Sequence, residues 1–361
     1  CAVTGAGDSL QTTFRDIFDP EMIHTCRQFL EKDADLRLYS TVIATKDIEE
    51  IRQALGYDKI NLYGVSYGTL SAMEYLRRYP DKVRSVLLAG VATPAAKLPL
   101  HFAKGTQRAL ERLIEDCTAD ESCRSTFPSL QSDFASALKA FVNGPVQIEM
   151  MHPKTKTIQT VTLSRGLFTE RLRLMLYDHS GSRLIPLLIH RAGQSDWLPF
   201  MKVILTPVFT PAYSVALGTY LSITCSESVP FIDATEIVQE TSGTFLGDYR
   251  TVRHQRACDL WPRGSIPNDY FFPVKSDVPV LMLSGDMDPA TPLELGKAVA
   301  RNLPHGRQVV LRNTPHSYDS DCSRSLAVEF INRGSTQNLD AQCADTTRRP
   351  PFLMELPERY R

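Results

Sequence analysis

A short apolar run that leads into a glycine–serine–glycine turn constrains this chain more than any other feature of its sequence. Ile60 and Leu62 lie in a run that predicts a β-strand, the segment Gly64-Val65-Ser66-Tyr67-Gly68 follows, and a helical pattern begins at once. A serine that is to attack a carbonyl must stand clear of its backbone on a sharp, strained turn, and the flanking glycines let strand and helix approach closely. The pattern predicts that Ser66 is a nucleophile. The alternative is an ordinary glycine-rich turn between a strand and a helix.

The bulk composition is that of an ordinary globular protein. Of the 361 residues, 43% are hydrophobic and 22% are charged, and 40 Lys and Arg against 41 Asp and Glu give a net charge of −1. Nothing in this balance argues for binding of nucleic acid or of an anionic membrane, and the sequence contains no basic run. Residues 203–226 carry no charge, but Pro207 and Pro211 interrupt them, so we expect buried irregular structure there and no membrane span.

Eight cysteines are many for a cytosolic protein. They fall into four neighbouring couples along the chain: Cys1 and Cys26, Cys117 and Cys123, Cys225 and Cys258, and Cys322 and Cys343. Eight cysteines allow many connectivities, so this pairing is one hypothesis among several, and buried free thiols are the alternative. The spacings contain no C-x-x-C zinc or redox motif. We predict disulfides and an oxidising compartment.

The chain divides into two blocks of mixed strands and helices on either side of a helical middle. The outer blocks are predicted to contain strands at 83–91, 278–284 and 307–312 and helices at 45–55, 292–302 and 322–332. The middle is predicted to contain helices at 101–117, 129–141, 167–177, 184–192 and 213–223 and one hairpin that pairs 146–151 with 157–163. This pattern predicts a core at 1–94 and 274–361, with a cap at 95–273 inserted between strands of its sheet.

Two polar loops follow the later strands of the predicted core, at the edge of the sheet where ligand-binding groups gather. Asp286 and Asp288 follow the strand at 278–284, and His316 follows the strand at 307–312. An acid and then a histidine on successive exit loops complete the chain order Ser, Asp, His. The histidine would take the serine proton, and a buried carboxylate would fix the tautomer of the imidazole. Either aspartate fits this role by position, and each could instead be a turn residue.

On these residues the chain resembles the proline iminopeptidase and tripeptidyl aminopeptidase family of α/β-hydrolases. Gly64-Val65-Ser66-Tyr67-Gly68-Thr69 is similar to the family's G-x-S-Y-G-T elbow. Gly285-x-x-Asp288-Pro289-x-Thr291-Pro292 is similar to its acid loop, which favours Asp288 over Asp286. The segment from Cys322 to Cys343 resembles the carboxyl-terminal part of the tripeptidyl aminopeptidases. The likeness implies an α/β-hydrolase fold, a mostly parallel sheet flanked by helices with a large, mainly helical cap inserted between strands.

The resemblance implies a secreted or periplasmic serine exopeptidase that cleaves peptide bonds near a free N-terminus. Ser66, Asp288 and His316 would form the triad, and the backbone N–H of Tyr67 would be one donor of the oxyanion hole. In such enzymes a helical cap limits access, and carboxylates hold the substrate's ammonium. Glu227 is the candidate for such a carboxylate; the alternative is a surface glutamate beside a disulfide. The triad needs no metal or organic cofactor, and the expected partner is a peptide with a free N-terminus.

The sequence departs from the family pattern in two ways. Pro315 stands where the family usually has a glycine before the histidine, and the H-G-G-P-G-like loop that supplies a second oxyanion donor is absent. The family's leading strands are also absent, so we expect a fragment of a longer protein, in which the strand at Ile60 is an apolar sheet edge. Two alternatives to an exopeptidase follow: an esterase or lipase of small substrates on the same fold, and a non-catalytic, truncated hydrolase.

Overall fold

The computed structural model describes residues 9–16, 18–206 and 215–360. The strands are β1 (Ile60–Val65), β2 (Val83–Ala89), β3 (Val146–Met151), β4 (Ile158–Leu163), β5 (Val280–Gly285) and β6 (Gly306–Leu311). The α-helices are α1 (Leu10–Thr13), α2 (Pro20–Leu30), α3 (Thr41–Ala54), α4 (Tyr67–Arg78), α5 (Phe102–Ala119), α6 (Glu121–Thr126), α7 (Leu130–Lys139), α8 (Arg165–Met175), α9 (His179–Ser182), α10 (Ile185–Gly193), α11 (Leu198–Ile204), α12 (Leu217–Glu227), α13 (Ala234–Thr241), α14 (Tyr249–Asp259), α15 (Leu293–Ala300), α16 (Asp321–Arg333) and α17 (Cys343–Thr346).

Among the residues that the structure describes, four parallel strands form the central sheet, in the order β1–β2–β5–β6. The sequence of β2 explains why the sheet is covered on both faces. Val86 and Leu88 pack in the apolar cluster that contains residues of α4 and α15, whereas Leu87 and Ala89 pack in the cluster that contains residues of α16. A strand with apolar side chains on both faces is typical of a parallel sheet between two layers of helices. The observed architecture confirms the predicted fold class.

The chain leaves the sheet after β2 and returns to it at β5. The intervening residues form α5 to α14 and the hairpin of β3 and β4, which pair antiparallel with Val146 opposite Leu163. Many of these elements share one apolar cluster, in which Phe168 and Phe200 are fully buried. The same cluster also contains residues from both ends of the chain, among them Phe14 and Phe352. The helical character and the hairpin agree with the sequence prediction. The division into a core at 1–94 and 274–361 and a cap at 95–273 stays a prediction.

β1 lies at an edge of the sheet, and within the residues that the structure describes its only strand neighbour is β2. Tyr63 and Val65 on this strand are 62% and 40% exposed, and Ile51 on α3 is 58% exposed. An apolar edge of this kind can template pairing with another strand. These exposures agree with the expected apolar edge at Ile60, and the absence of leading strands stays a prediction.

Several helices differ from the sequence prediction, and for α3 and α14 the reason is local. α3 begins at Thr41, earlier than residue 45, because the Ser40 side chain accepts a hydrogen bond from the Ile43 N–H and caps the helix there. The sequence prediction misses α14 altogether. This helix buries the polar side chains of Arg250 and His254 in place of a continuous apolar stripe, so the periodic signal of a helix is weak.

The uncharged segment at 203–226 is partly helical, which corrects the expectation of irregular structure. It contains the end of α11 and nearly all of α12, and Leu221 and Cys225 of α12 are buried in one apolar cluster with Trp261. Helix packing therefore accounts for the lack of charge in these parts. Residues 207–214 lie outside the described residues. None of the described helices is long and apolar enough to cross a membrane.

Three of the four predicted disulfides lie within the described residues and are confirmed. Cys117–Cys123 joins α5 to α6, Cys225–Cys258 joins α12 to α14, and Cys322–Cys343 joins α16 to α17. Cys1 lies outside the described residues, so its bond with Cys26 stays a prediction.

The disulfides differ in the length of chain that they close, and we expect their contributions to stability to differ accordingly. Cys225 and Cys258 are 33 residues apart, and Cys117 and Cys123 are 6 apart. Chain-entropy arithmetic gives about 4 kcal/mol for the longer loop and about 2 kcal/mol for the shorter. Guanidinium unfolding of the two double Cys→Ala variants measures the difference. A larger loss of unfolding free energy in the Cys117/Cys123 variant would contradict the expectation that the longer loop contributes more stability.

Candidate active site

Ser66 stands on the turn between β1 and α4, as the elbow pattern predicts. Its backbone has φ 55° and ψ −121°, in a region that residues other than glycine rarely occupy. The Ser66 N–H donates to the Ala89 carbonyl at 2.9 Å, and the Thr69 N–H and hydroxyl donate to the Ser66 carbonyl at 2.9 and 2.6 Å. These bonds hold the strained turn in place and leave the Ser66 side chain free to point away from it.

The two glycines of the elbow are not equivalent. A Cβ on Gly64 would lie 2.2 Å from the Gly68 carbonyl oxygen and 2.8 Å from the Thr69 nitrogen, so this position has no room for a side chain. A Cβ on Gly68 would meet no atom within 4 Å. The expectation that both flanking glycines let strand and helix approach closely is therefore wrong for Gly68, because a Cβ there would face open space at the start of α4.

His316 lies between Ser66 and Asp288 and is hydrogen-bonded to both. Its Nε2 is 2.8 Å from Ser66 Oγ, and its Nδ1 is 2.7 Å from Asp288 Oδ2. The imidazole is largely buried, with 7% of the side chain exposed. The structure thus brings together the three side chains that the sequence predicts as a triad, from the exits of β1, β5 and β6.

The Asp288 carboxylate is fully buried and accepts five hydrogen bonds. The Ala290 and Thr291 N–H groups donate to Oδ1, and His316 Nδ1, the Thr291 hydroxyl and the Tyr318 hydroxyl donate to Oδ2. Burial opposes the charged form, but the interaction with His316 and the hydrogen bonds outweigh it and lower the pKa of Asp288. An ionised Asp288 can only accept, so Nδ1 carries the His316 proton and Nε2 is free to accept from the Ser66 hydroxyl.

Asp286, the competing aspartate, has different surroundings. Its Oδ1 accepts from the Thr314 N–H at 3.3 Å, and its Oδ2 lies 4.0 Å from Arg112 Nη1. Burial raises the pKa of this carboxyl. The geometry therefore favours Asp288 as the partner of His316 and gives Asp286 the role of a turn residue that braces the loop after β6.

Four further residues shape this site, and the sequence prediction gives none of them a role. Thr291 and Tyr318 donate to Asp288, and the Tyr318 hydroxyl also accepts from the Gly285 N–H at 3.0 Å. A Cβ on Gly90 (φ 64°) would lie within 3.1 Å of His316, Thr291 and Tyr318 atoms. The ring of Tyr177 meets the imidazole edge-on at 4.9 Å. Thr291 belongs to the acid-loop motif and could have been found there. The others depend on tertiary packing.

Tyr67, whose backbone N–H is the predicted oxyanion donor, directly follows Ser66 at the start of α4. Tyr67 is the first residue of α4, so its N–H has no acceptor within the helix. The positive end of the helix dipole adds to the same field. An oxyanion that forms next to Ser66 would therefore meet this N–H and a favourable helix end.

Glu227, the predicted ammonium ligand, is fully buried at the end of α12. It is no surface glutamate. Its oxygens accept hydrogen bonds from the Thr41 N–H, the Thr41 hydroxyl and the Tyr270 hydroxyl. Burial raises the pKa of Glu227, against the effect of these hydrogen bonds. Its binding of a substrate ammonium stays a prediction.

Cys225, His254 and Cys258 form a cluster of potential metal ligands away from the triad. Their ligand atoms lie within 4.8 Å of one another. The two sulfur atoms form a disulfide, however, which leaves no thiolate to bind a metal.

The sequence matches two family profiles. Residues 25–140 match the alpha/beta hydrolase fold family, and residues 244–343 match the TAP-like protein family. The chain belongs to the α/β-hydrolases. The predicted family is thereby confirmed, and the TAP-like match contains Asp288 and His316.

Two curated relatives extend this comparison. The serine protease Hip1 of Mycobacterium tuberculosis is 25% identical over 330 residues, which are 84% of this chain and 61% of that protein. The tripeptidyl aminopeptidase of Streptomyces lividans is 39% identical over 56 residues, which are 16% of this chain and 10% of that enzyme. The chain thus spans about three fifths of the length of the Hip1 relatives.

A solved structure of an alpha/beta hydrolase from a Medee basin deep-sea metagenome library aligns with 84% of this chain and 75% of its own, at 16% identity and a TM-score of 0.37.

The contrast between the elbow glycines gives a matched pair of substitutions. Gly64→Ala places a methyl group against the backbone of Gly68 and should cost about 3 kcal/mol of unfolding free energy or prevent folding. Gly68→Ala fills open space and should leave stability nearly unchanged. Guanidinium denaturation measures the unfolding free energy of both variants. Equal losses in the two would show that the crowding at Gly64 is not the reason for a glycine there.

The two aspartates give a second matched pair. Asp288→Asn removes the acceptor that fixes the His316 tautomer, and we expect the rate of fluorophosphonate labelling at Ser66 to fall by about 10⁴-fold. Asp286→Asn keeps that acceptor and should label at nearly the wild-type rate. Mass spectrometry of the labelled peptide measures both rates. Loss of labelling in the Asp286 variant alone would reverse the assignment.

Proposed function

We propose that this chain is the catalytic part of a serine hydrolase that acts through a Ser66–His316–Asp288 triad. The observation that carries the proposal is the continuous series of hydrogen bonds from Ser66 Oγ through the imidazole to a buried carboxylate, at 2.8 and 2.7 Å. A serine in a strained turn, a base within hydrogen-bonding distance and an orienting acid are the parts that nucleophilic acyl transfer requires. The α/β-hydrolase family membership supports the same chemistry.

In this mechanism Ser66 Oγ attacks the substrate carbonyl while His316 Nε2 takes the hydroxyl proton. The negative charge that develops on the carbonyl oxygen meets the Tyr67 N–H at the start of α4. His316 then gives the proton to the leaving group, which departs as the acyl-enzyme forms. A water molecule, deprotonated by His316, hydrolyses the acyl-enzyme and restores Ser66. Asp288 stays ionised throughout and stabilises the imidazolium.

We propose a peptide bond near a free N-terminus as the substrate. The TAP-like match and the similarity to a serine protease and to a tripeptidyl aminopeptidase support a peptidase. The helices between β2 and β5 support a cap at 95–273 that limits access to the triad. Three disulfides support a secreted or periplasmic location. Because the relatives are longer than this chain, the activity proposed is that of the whole protein.

The test has two arms, with Ser66→Ala as the control in both. In the first, a fluorophosphonate probe should label Ser66 of the wild-type chain and should not label the variant. In the second, matched peptides with free and acetylated N-termini report the substrate class. Release of N-terminal residues from the free peptide alone is the expected result.

The other outcomes decide between the alternatives. Equal cleavage of free and acetylated peptides would contradict the exopeptidase proposal while leaving the triad intact. Fast hydrolysis of p-nitrophenyl esters without peptide cleavage would favour an esterase. No probe on Ser66, either in this chain or in a version extended upstream, would refute the triad and favour a non-catalytic protein.

A further inference from the structure

Glu227 is a second buried carboxylate near the elbow, and the triad makes no use of it. The Thr41 N–H donates to Oε1 at 2.5 Å, and the Thr41 and Tyr270 hydroxyls donate to Oε2 at 2.7 and 2.5 Å. Thr41 is the first residue of α3, so the positive end of that helix also favours the carboxylate. Three of the roughly four acceptor sites of a carboxylate are thereby occupied. A substrate ammonium would have to compete with these donors.

The hydrogen bonds run in one direction from the elbow to Glu227. The Thr41 hydroxyl donates its single proton to Glu227 Oε2. The Tyr67 hydroxyl lies 2.8 Å from the same Thr41 oxygen and must therefore donate to it. The result is a directed series from Tyr67 through Thr41 to Glu227. Because the members of such a series polarise one another, a change at Glu227 reaches Tyr67.

Tyr67 connects this series to the reaction because it directly follows Ser66. Its backbone N–H is the oxyanion donor of the proposed mechanism, and its hydroxyl is held by Thr41 at the other end of the side chain. The peptide unit between Ser66 and Tyr67 belongs to a turn with φ 55° at Ser66. A strained turn keeps its conformation only when its surroundings fix it. The hydroxyl contact supplies one of these constraints from outside the sheet.

We propose that Glu227 is a positioning residue, which holds Tyr67 through Thr41 and so fixes the backbone N–H that faces the oxyanion. This inference rests on the proposed serine hydrolase function and offers an alternative to ammonium binding as the role of Glu227. The Cys225–Cys258 disulfide anchors the same end of α12. The precision of the oxyanion site thus depends on a helix that contributes no residue to the triad.

Two variants break the series at different points. Tyr67→Phe removes the hydroxyl but keeps the backbone N–H, and Glu227→Gln replaces one acceptor oxygen by an amide that cannot accept. Each should lower the maximal inactivation rate by a fluorophosphonate about 10–10²-fold, because the phosphoryl oxygen uses the same N–H and small misplacements are costly. The probe concentration at half-maximal rate should change little. The inactivation rate of the double variant should fall no further than that of the more impaired single variant.

Matched controls keep the result specific. Tyr63→Phe removes a hydroxyl from a mostly exposed tyrosine of β1, and Glu50→Gln neutralises an exposed glutamate of α3. Both should react at the wild-type rate. Rates are measured on protein whose circular dichroism and unfolding midpoint are those of the wild type. The Tyr67 variant changes a partly exposed side chain, so it remains informative even where the Glu227 variant does not fold.

The fluorophosphonate carries no ammonium, which separates the two roles of Glu227. Wild-type inactivation rates in folded Tyr67→Phe or Glu227→Gln would overturn the positioning role. Loss in Glu227→Gln that is confined to cleavage of free-N-terminus peptides would overturn it too and assign ammonium binding. Multiplicative losses in the double variant would also overturn it, because they would show that the two residues act independently. A wild-type chain that never reacts with the probe would instead refute the proposed function, and this inference with it.

Discussion

The buried carboxylate of Asp288 is the constraint on which the rest of the site depends. An ionised carboxylate is stable inside a protein only when its lone pairs are met by donors. Here the donors come from the loop after β5, at Ala290 and Thr291, and from the loop after β6, at His316 and Tyr318. The hydrogen bonds to the Asp288 carboxylate therefore hold the loops after β5 and β6 together. The distance from His316 to Ser66 depends on how these two loops are held.

The parallel sheet converts these local bonds into a site. Because parallel strands end at the same edge, residues that follow β1, β5 and β6 meet although they are far apart in the chain. The exit of β2 contributes by the absence of a side chain, since a Cβ on Gly90 would press on His316, Thr291 and Tyr318. Its positive φ of 64° also favours glycine. Each of these four strands is thus followed by a residue on which the geometry of the site depends.

The parts of this protein that could be predicted from sequence are those with a local physical signal. The elbow around Ser66 carries its own strand, turn and helix pattern, and the position of His316 after the last strand follows from chain order. Position after the strand allows either Asp286 or Asp288 as the acid, and the resemblance to the family's acid loop favours Asp288. The hydrogen bonds that distinguish the two aspartates are tertiary. α14 gives only a weak periodic signal because polar side chains such as His254 occupy its buried face. The open space beside Gly68 arises from tertiary structure, so the sequence does not distinguish it from Gly64.

Asp288 and Glu227 are both fully buried, yet their pKa values move in opposite directions. The pKa of Asp288 is lowered, so its charge adds stability above the ordinary carboxyl pKa, and that contribution is lost as pH falls through the lowered value. The pKa of Glu227 is raised by burial, so the folded state holds its proton more tightly than the unfolded chain does, and stability declines as pH rises through the raised value. Above the ordinary carboxyl pKa the Asp288 charge stabilises the fold, whereas ionisation of Glu227 costs folding free energy. A carboxyl group whose pKa is raised on folding adds no stability through its charge. This favours a positional role at the elbow for Glu227.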